Sequence, residues 1–251
     1  DFRHACELPA LRQAEDTHVE KLYDFARALG VAWVEAHFPR SYLDVNRDLT
    51  ELDVSLLDGP WPEPVQDGAK VRLGKGLIWR QTDEGEPLYG RWLTVDEVRQ
   101  RIERCWRPYH AAVARAIDEA HARQGYSVHI NCHSMPSVAA AHATEFPGLQ
   151  HPDFVVGDRD GSTASPALTQ WIADFLAARG HSVNVNHPYK GVELVRRHGD
   201  PARQRHSIQL ELNRKLYMDE STLELHEGER ALKATLEAMV RELLKLDPRG
   251  L

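Results

Sequence analysis

One segment of the chain runs Ser127-Val128-His129-Ile130-Asn131-Cys132-His133-Ser134-Met135-Pro136. Its apolar residues Val128, Ile130 and Cys132 alternate with more polar ones, which is the period of a β-strand with two different faces. Pro136 discourages the chain from continuing straight on, so the pattern predicts a strand that stops at His133. In α/β proteins, ligands and chemistry gather at the carboxyl ends of strands. His133 is therefore a candidate metal ligand, although a histidine that fills the core or caps the strand would fit equally well.

Strand and helix patterns alternate along the rest of the chain. A capping box at Thr94 predicts a long helix to about residue 124, interrupted near Pro108. This alternation predicts an α/β fold, a three-layer α/β/α sandwich around a mostly parallel mixed sheet, in one domain of residues 1–251. The other predicted helices cover residues 16–29, 166–179 and 228–246, and the other predicted strands cover 31–38, 153–156, 182–186 and 206–212.

The composition is typical of a soluble globular protein, with more acidic than basic residues. Its 251 residues include 31 Lys and Arg against 38 Asp and Glu, a formal charge of −7. There is no basic stripe to indicate a nucleic-acid partner, no apolar run long enough for a bilayer, and no visible signal peptide. The three scattered cysteines fit a reducing compartment. We therefore expect a cytoplasmic protein, monomeric or oligomeric, that acts on a small molecule.

Two polar groups in the first fifth of the chain are candidates for chemistry. Asp16 precedes a predicted helix, where its carboxylate could cap the helix or supply an oxygen ligand beside His133. Asn46 and Arg47 follow a predicted strand. The planar fork of Arg47 can hold a carboxylate with two hydrogen bonds, but a turn with a solvated arginine would give the same sequence.

The last third of the chain holds further candidates. Glu211 lies in an apolar strand, where a buried carboxylate without partners is costly, so a general base would rationalise it. A solvent-facing residue of a half-exposed strand is the alternative. Lys190, Arg197 and His198 form a polar cluster that could meet an anionic substrate, although each taken alone resembles surface charge.

A thiol nucleophile is a further option, since Cys132 precedes His133. Neighbouring residues on a strand point to opposite faces, so these two side chains would not pair naturally.

Several of these motifs together resemble the N-formylglutamate amidohydrolase family over nearly the whole chain. The resemblance is carried, in order, by residues 38–48 (FPRSYLDVNRD), 131–136 (NCHSMP), 186–191 (NHPYKG), 209–212 (QLEL) and 217–220 (YMDE). The family is related to zinc carboxypeptidases and aspartoacylases, so the resemblance implies a zinc-exopeptidase-like sandwich.

The resemblance also implies roles for particular residues. It implies one divalent metal ion, zinc, held by Asp16 and His133, a carboxylate clamp of Asn46 and Arg47, and Glu211 as the base. Family members usually carry a His-Ser-Gly motif near the N-terminus, and its histidine is a metal ligand. This sequence contains no His-Ser-Gly and begins with residues like those just downstream of it. Either that segment precedes the given chain or the protein has lost a ligand.

The function that the resemblance implies is hydrolysis of N-formyl-L-glutamate to formate and glutamate, a zinc-dependent cleavage of a linear amide within histidine degradation. A related N-acyl amino acid deacylase or a carboxypeptidase-like hydrolase is the nearest alternative. A non-catalytic protein that binds an acidic metabolite through Arg47, with a decayed metal site, is the alternative from another class.

Overall fold

The structure is a computed structural model that describes residues 2–13, 15–82, 84–140 and 146–251. Contacts divide the chain into two compact units. The first unit comprises Asp1–Glu15 and Val34–Ala114, and the second comprises Asp16–Trp33 and Arg115–Leu251. The division rests on contacts within each unit, and the single domain of residues 1–251 stays a prediction.

The described residues contain four β-strands and nine α-helices. The strands are β1 (Ser127–Met135), β2 (Phe154–Gly157), β3 (Val183–Val185) and β4 (Arg205–Asn213). The helices are α1 (Leu8–Gln13), α2 (Val19–Leu22), α3 (Phe25–Ala28), α4 (Ala69–Arg72), α5 (Val95–Arg101), α6 (Arg107–Gln124), α7 (Pro166–Ala177), α8 (Glu193–His198) and α9 (Gly228–Leu243). Within the described residues, no helix combines the length and the apolarity needed to cross a membrane.

All four strands belong to one sheet in the second unit, in the order β1-β4-β2-β3. Strand β1 runs parallel to β4 and β2 runs parallel to β3, while β2 and β4 are antiparallel. The predicted α/β class and the mostly parallel mixed sheet are therefore confirmed.

The two faces of β1 and β4 differ in chemistry, as their alternating sequences predict. Ile208, Leu210 and Leu212 are fully buried in the main core of the second unit, and the apolar residues of β1 pack against the same core. Helices α7 and α9 contribute Leu168, Ile172, Leu236 and Met239 to it, all with no exposed surface. The opposite face of the two strands carries His129, Asn131, His133, Ser207, Gln209 and Glu211.

The first unit has its own core and little regular structure. Leu43, Leu77, Ile78 and Leu93 are among its fully buried side chains. The predicted capping box is present, since Thr94 Oγ1 accepts from Glu97 N at 3.1 Å and Glu97 Oε2 accepts from Thr94 N at 2.9 Å.

The long helix that follows this capping box is interrupted, as predicted, but before the proline. A π-helical segment, Ile102–Trp106, separates α5 from α6, and Arg107 N donates to Ile102 O five residues back. Pro108 has no N–H to donate, so normal helical bonding cannot run through this turn.

Three local predictions are wrong. Residues 31–38 form no strand, although Val31 and Trp33 alternate with other residues as in a strand. A strand needs a neighbour to pair its backbone groups, and the sheet of the described residues ends at β1 and β3. The predicted helix at 16–29 is two short helices, α2 and α3, and β1 runs two residues beyond His133 to Met135.

Candidate active site

His133 and Glu211 lie side by side on the polar face of the sheet. They are register partners on the parallel strands β1 and β4, so their side chains leave the same face of the sheet. His133 is 8% exposed and Glu211 is 7% exposed. The alternative in which Glu211 faces solvent is therefore wrong, because β4 is covered on both faces.

Asp16 joins this pair from the segment that precedes α2. Its Oδ2 lies 3.1 Å from Nδ1 of His133, and its Oδ1 accepts from the backbone N of Ser134 at 2.9 Å. The alternative in which Asp16 caps the helix is wrong, since His18 occupies the N-cap position with φ 65°. The carboxylate instead ties its own segment to the end of β1.

Buried groups around Asp16 hold this junction in place. Tyr217 is fully buried and its hydroxyl donates to the carbonyl of Thr17 at 2.9 Å. Burial raises the pKa of Tyr217 to about 12, so the hydroxyl keeps its proton. Arg214 Nε donates to Ser134 Oγ at 3.1 Å. Sequence patterns did not single out Thr17, Ser134 or Arg214, because their roles depend on contacts distant in the chain.

A chain of amides leads along the strands to Glu211. Gln209 Nε2 donates to Glu211 Oε1 at 2.7 Å, and Asn131 Nδ2 donates to Gln209 Oε1 at 3.4 Å. All three residues are buried. A donor aimed at a buried carboxylate oxygen stabilises its charged form and restricts its orientation. The period of β4 placed Gln209 on the face of Glu211, but it did not indicate the bond.

Cys132 lies on the opposite face from His133 and is not a nucleophile for this site. It packs against the core of the second unit. Burial raises the pKa of its thiol to about 12, so the thiolate is not formed near neutral pH.

Asp16 and His133 are chemically suited to hold a metal ion. A carboxylate oxygen and an imidazole nitrogen are both zinc donors, and two donors about 2.0–2.1 Å from a tetrahedral ion stand roughly 3.3 Å apart. The observed separation of Asp16 Oδ2 from His133 Nδ1 is 3.1 Å. Across the described ranges, no group of three or more His, Cys, Asp or Glu side chains could hold a metal. Asp16 and His133 therefore fit two of the three protein ligands that a catalytic zinc ion usually has.

Asn46 and Arg47 belong to the first unit, where the backbone engages much of the Arg47 guanidinium. Arg47 Nε donates to Lys75 O at 2.9 Å and Nη1 donates to Asn46 O at 2.9 Å. Its Nη2 lies 3.8 Å from Asp44 Oδ2. Arg47 is 5% exposed, so a carboxylate ligand would meet a side chain held in place by the fold rather than a solvated one.

Lys75, whose backbone carbonyl accepts from Arg47, is a further cation, and sequence patterns did not indicate it. Burial, followed by repulsion from Lys70 and Arg40, lowers the pKa of its amine to about 8. It stands in Gly74-Lys75-Gly76, inside the loop-rich stretch of the first unit. A Cβ on Gly76 would come within 2.4 Å of Glu51 O, so only glycine allows the backbone approach that places Lys75 here.

The three polar side chains predicted from the last third of the chain take different positions. Lys190 Nζ pairs with Asp160 at 2.9 Å in an exposed pair. Arg197 Nε binds the buried carboxylate of Glu193 at 2.6 Å. The His198 ring meets the edge of the His129 ring at 6.2 Å between centroids. His129 lies four residues before His133 on the same strand, about 13 Å away.

His198 therefore touches the polar face of the sheet, while Lys190 and Arg197 hold partners of their own. Burial, followed by the nearby Arg197 charge, lowers the pKa of His198 to about 4, so the ring is neutral near pH 7.

Comparisons with known proteins identify the family of the chain. The sequence model of the N-formylglutamate amidohydrolase family matches residues 1–218. An N-formylglutamate deformylase of Pseudomonas putida is 32% identical over 82% of this chain and 71% of that protein. One from Pseudomonas aeruginosa is 32% identical over 92% of this chain and 80% of its own length.

A solved structure is similar in fold and in sequence. The crystal structure of N-formylglutamate amidohydrolase from Ralstonia eutropha JMP134 superposes with a TM-score of 0.90 and 42% identity. The match covers 100% of this chain and 90% of that one. The chain therefore belongs to the N-formylglutamate amidohydrolase family.

Proposed function

We propose that this protein hydrolyses the amide bond of N-formyl-L-glutamate, releasing formate and L-glutamate, with the help of a divalent metal ion, zinc. The observation that carries the proposal is the meeting of Asp16, His133 and Glu211 on one sheet face. The relatives named N-formylglutamate deformylase supply the substrate class, a small acidic N-acyl amino acid. A three-layer, zinc-exopeptidase-like arrangement of the whole fold is part of the same proposal.

Asp16 and His133 would hold the metal ion. Such an ion, when bound, polarises the scissile carbonyl and makes water a better nucleophile. Glu211 takes a proton from the attacking water and gives it to the leaving nitrogen as the C–N bond breaks. Gln209 holds one oxygen of Glu211, so the carboxylate enters the reaction already oriented.

The substrate carries two carboxylates, and the resemblance to the family assigns one of them to Asn46 and Arg47. Arg47 is held through Nε and Nη1 and its Nη2 lies 3.8 Å from Asp44 Oδ2, and the Lys75 amine adds a second positive charge near it. A cation held by the fold loses little conformational entropy on binding, which favours recognition of an acidic substrate over a neutral one.

The test is formate release from N-formyl-L-glutamate by metal-analysed protein, with N-acetyl-L-glutamate and N-formyl-L-glutamine as comparison substrates. We expect turnover of the first substrate, at least tenfold lower kcat/KM for the other two, and loss of turnover in Glu211→Gln. Faster cleavage of N-acetylglutamate would indicate a deacylase instead. Binding of N-formylglutamate without any turnover by metal-loaded protein would indicate the non-catalytic alternative.

A further inference from the structure

Arg159 is a half-buried arginine of the second unit that the proposed reaction does not use. It stands in a polar turn, residues 157–161, at the end of β2. Its backbone has φ 52°, in the left-handed region that is uncommon for residues other than Gly, Asn and Asp. Residues held in such conformations cluster at active sites and ligand-binding loops. The conformation of Arg159 therefore indicates a role for its side chain.

Buried hydrogen bonds fix the turn that carries Arg159. Asp158 is buried, and its Oδ1 accepts from Asn186 Nδ2 at 2.7 Å while its Oδ2 accepts from Thr169 Oγ1 at 2.7 Å. The backbone N of Arg159 donates to Lys190 O at 2.8 Å. These bonds connect the turn to α7 and to the segment that follows β3, so the Arg159 side chain starts from a fixed backbone.

The same turn lies beside the proposed base. Gly157 is the register partner of Gln209 on β4, so both positions face the same side of the sheet. A Cβ on Gly157 would come within 2.7 Å of the carbonyl carbon of Lys190, and only glycine allows this approach. A Cβ on Gly191 would stand 3.5 Å from Gln209 Cβ. The chain at 190–191 therefore covers the sheet next to Gln209, whose amide orients Glu211.

The Arg159 guanidinium reaches this point through Gly191. Its Nη1 donates to Gly191 O at 3.2 Å, so a single residue separates the guanidinium from Gln209. The bond holds one nitrogen and leaves the N–H groups of Nε and Nη2 to donate elsewhere. Across the part of the chain that the structure describes, no carboxylate pairs with Arg159. A half-buried guanidinium of this kind suits an anionic ligand.

The other charged groups of this neighbourhood are paired with one another. Lys190 Nζ lies 2.9 Å from Asp160 Oδ2 in an exposed pair. Glu193, two residues after Gly191, accepts from Arg197 Nε at 2.6 Å. Among these cations, Arg159 is therefore the one whose charge is available to a substrate.

We propose that Arg159 binds the substrate carboxylate that Arg47 does not take, a role that rests on the proposed function. Gln209 and Glu211 are about 6.6 Å apart along β4. The formyl carbon of N-formylglutamate is about 4–6 Å from its carboxylate carbons. A substrate whose amide lies at Glu211 can therefore place a carboxylate beside Gln209, where Nε and Nη2 of Arg159 bind its two oxygens side by side.

Isothermal titration of the full chain with N-formyl-L-glutamate tests this role, in a Glu211→Gln background where turnover should be lost. We expect Arg159→Gln to raise Kd by about tenfold or more, the scale of a lost charge-assisted hydrogen bond. Arg179→Gln is the matched control, because Arg179 also donates from Nη1 to a backbone carbonyl, Phe175 O at 3.1 Å, but is exposed beyond the end of α7. It removes the same charge and should leave Kd unchanged.

Two amide analogues separate the two carboxylates. N-formyl-L-glutamine lacks the side-chain carboxylate, and N-formyl-L-isoglutamine lacks the α-carboxylate. For one analogue the effect of Arg159→Gln should shrink below about threefold, and for that analogue the effect of Arg47→Lys should persist. Arg159→Lys keeps the charge without the planar fork and should raise Kd less than Arg159→Gln does. If Arg159→Gln does not fold, Arg159→Lys is compared in the same way.

Four results would overturn the role of Arg159. They are absence of binding at millimolar N-formylglutamate, an unchanged Kd in the Arg159 variants, an equal rise of Kd in Arg179→Gln, and a loss in Arg159→Gln that shrinks for neither analogue or for the same one as in Arg47→Lys. Formate release by the wild type with an unchanged Kd in Arg159→Gln would leave the proposed function standing without Arg159. Binding that depends on Arg159, without formate release by metal-loaded wild type, would support this role and remove the proposed hydrolysis.

Discussion

Gln209 donates from Nε2 to Oε1 of Glu211 at 2.7 Å, along one strand and on one face of the sheet. The two residues are 5% and 7% exposed, so water competes little for this bond. Because the proposed base needs a defined direction toward the attacking water, Gln209 is a positioning residue for Glu211.

We expect Gln209→Met to lower kcat by about tenfold, the scale of one hydrogen bond to a charged group, with little change in metal content. The decisive measurement is a double-mutant cycle with Glu211→Gln. In the Glu211→Gln background, Gln209→Met should cost almost nothing further. Equal losses in both backgrounds would show that Gln209 only supports the fold.

Asn213→Ala is the structural control for this cycle. Asn213 lies on the same strand and face, is fully buried, and donates to the carbonyls of His151 and Pro152. Its loss should lower the free energy of unfolding and show no coupling to Glu211.

His133→Ala should remove the metal and the activity together, since His133 and Asp16 are the proposed ligands. Metal content by elemental analysis is the measurement. His129→Gln is the comparison: His129 lies on the same strand and face but bonds Ser207 Oγ at 2.7 Å, and metal content should persist. Wild-type metal content in His133→Ala would remove His133 from the proposed metal site.

Arg47→Lys should lower kcat/KM for N-formylglutamate by about tenfold or more, because lysine lacks the planar fork. The loss should shrink for N-formylglutamine, whose side-chain carboxylate is an amide. The variant should also unfold at a lower temperature, since Arg47 donates to Lys75 O and Asn46 O. Equal losses of kcat/KM on the two substrates would mean that Arg47 acts through the fold alone.

Lys75→Met should stabilise the protein near neutral pH while it lowers kcat/KM for acidic substrates. The folded pKa of Lys75 is about 8, against 10.5 for the ordinary amine. The unfolded chain therefore binds more protons between these values, and stability rises with pH across that window. Below pH 8 the full penalty is present, at most about 3 kcal/mol.

Urea denaturation of both proteins between pH 7 and 10.5 measures this effect. The stability gap between Lys75→Met and the wild type should close as the pH rises. Parallel curves would show that burial of Lys75 carries no such penalty.

Local patterns predicted the elements whose signals lie within a few residues. The alternation in β1 and β4 determined which residues face the core, because a one-residue change of register would bury polar side chains. The capping box at Thr94 and the start of the helix predicted at residue 166 depend on neighbouring residues, and both are present. At the second one, Ser165 Oγ accepts from Leu168 N at 3.3 Å. Segment 31–38 has the same local pattern but forms no strand, because pairing requires a partner that no local signal supplies.

The sequence by itself thus determined the class of fold and the polar and apolar faces of its two long strands. Its resemblance to the family also indicated the candidate residues. Only the tertiary structure decided which candidates meet. His133 and Glu211 are 78 positions apart in the sequence and become neighbours through strand register. Asp16 contacts His133 and does not cap the helix that follows it. Arg47 is held by the backbone carbonyl of Lys75. These outcomes depend on which buried polar groups find partners across the chain. Burial makes an unpaired group costly wherever its partner lies in the sequence, so the arrangement is a property of the packed molecule.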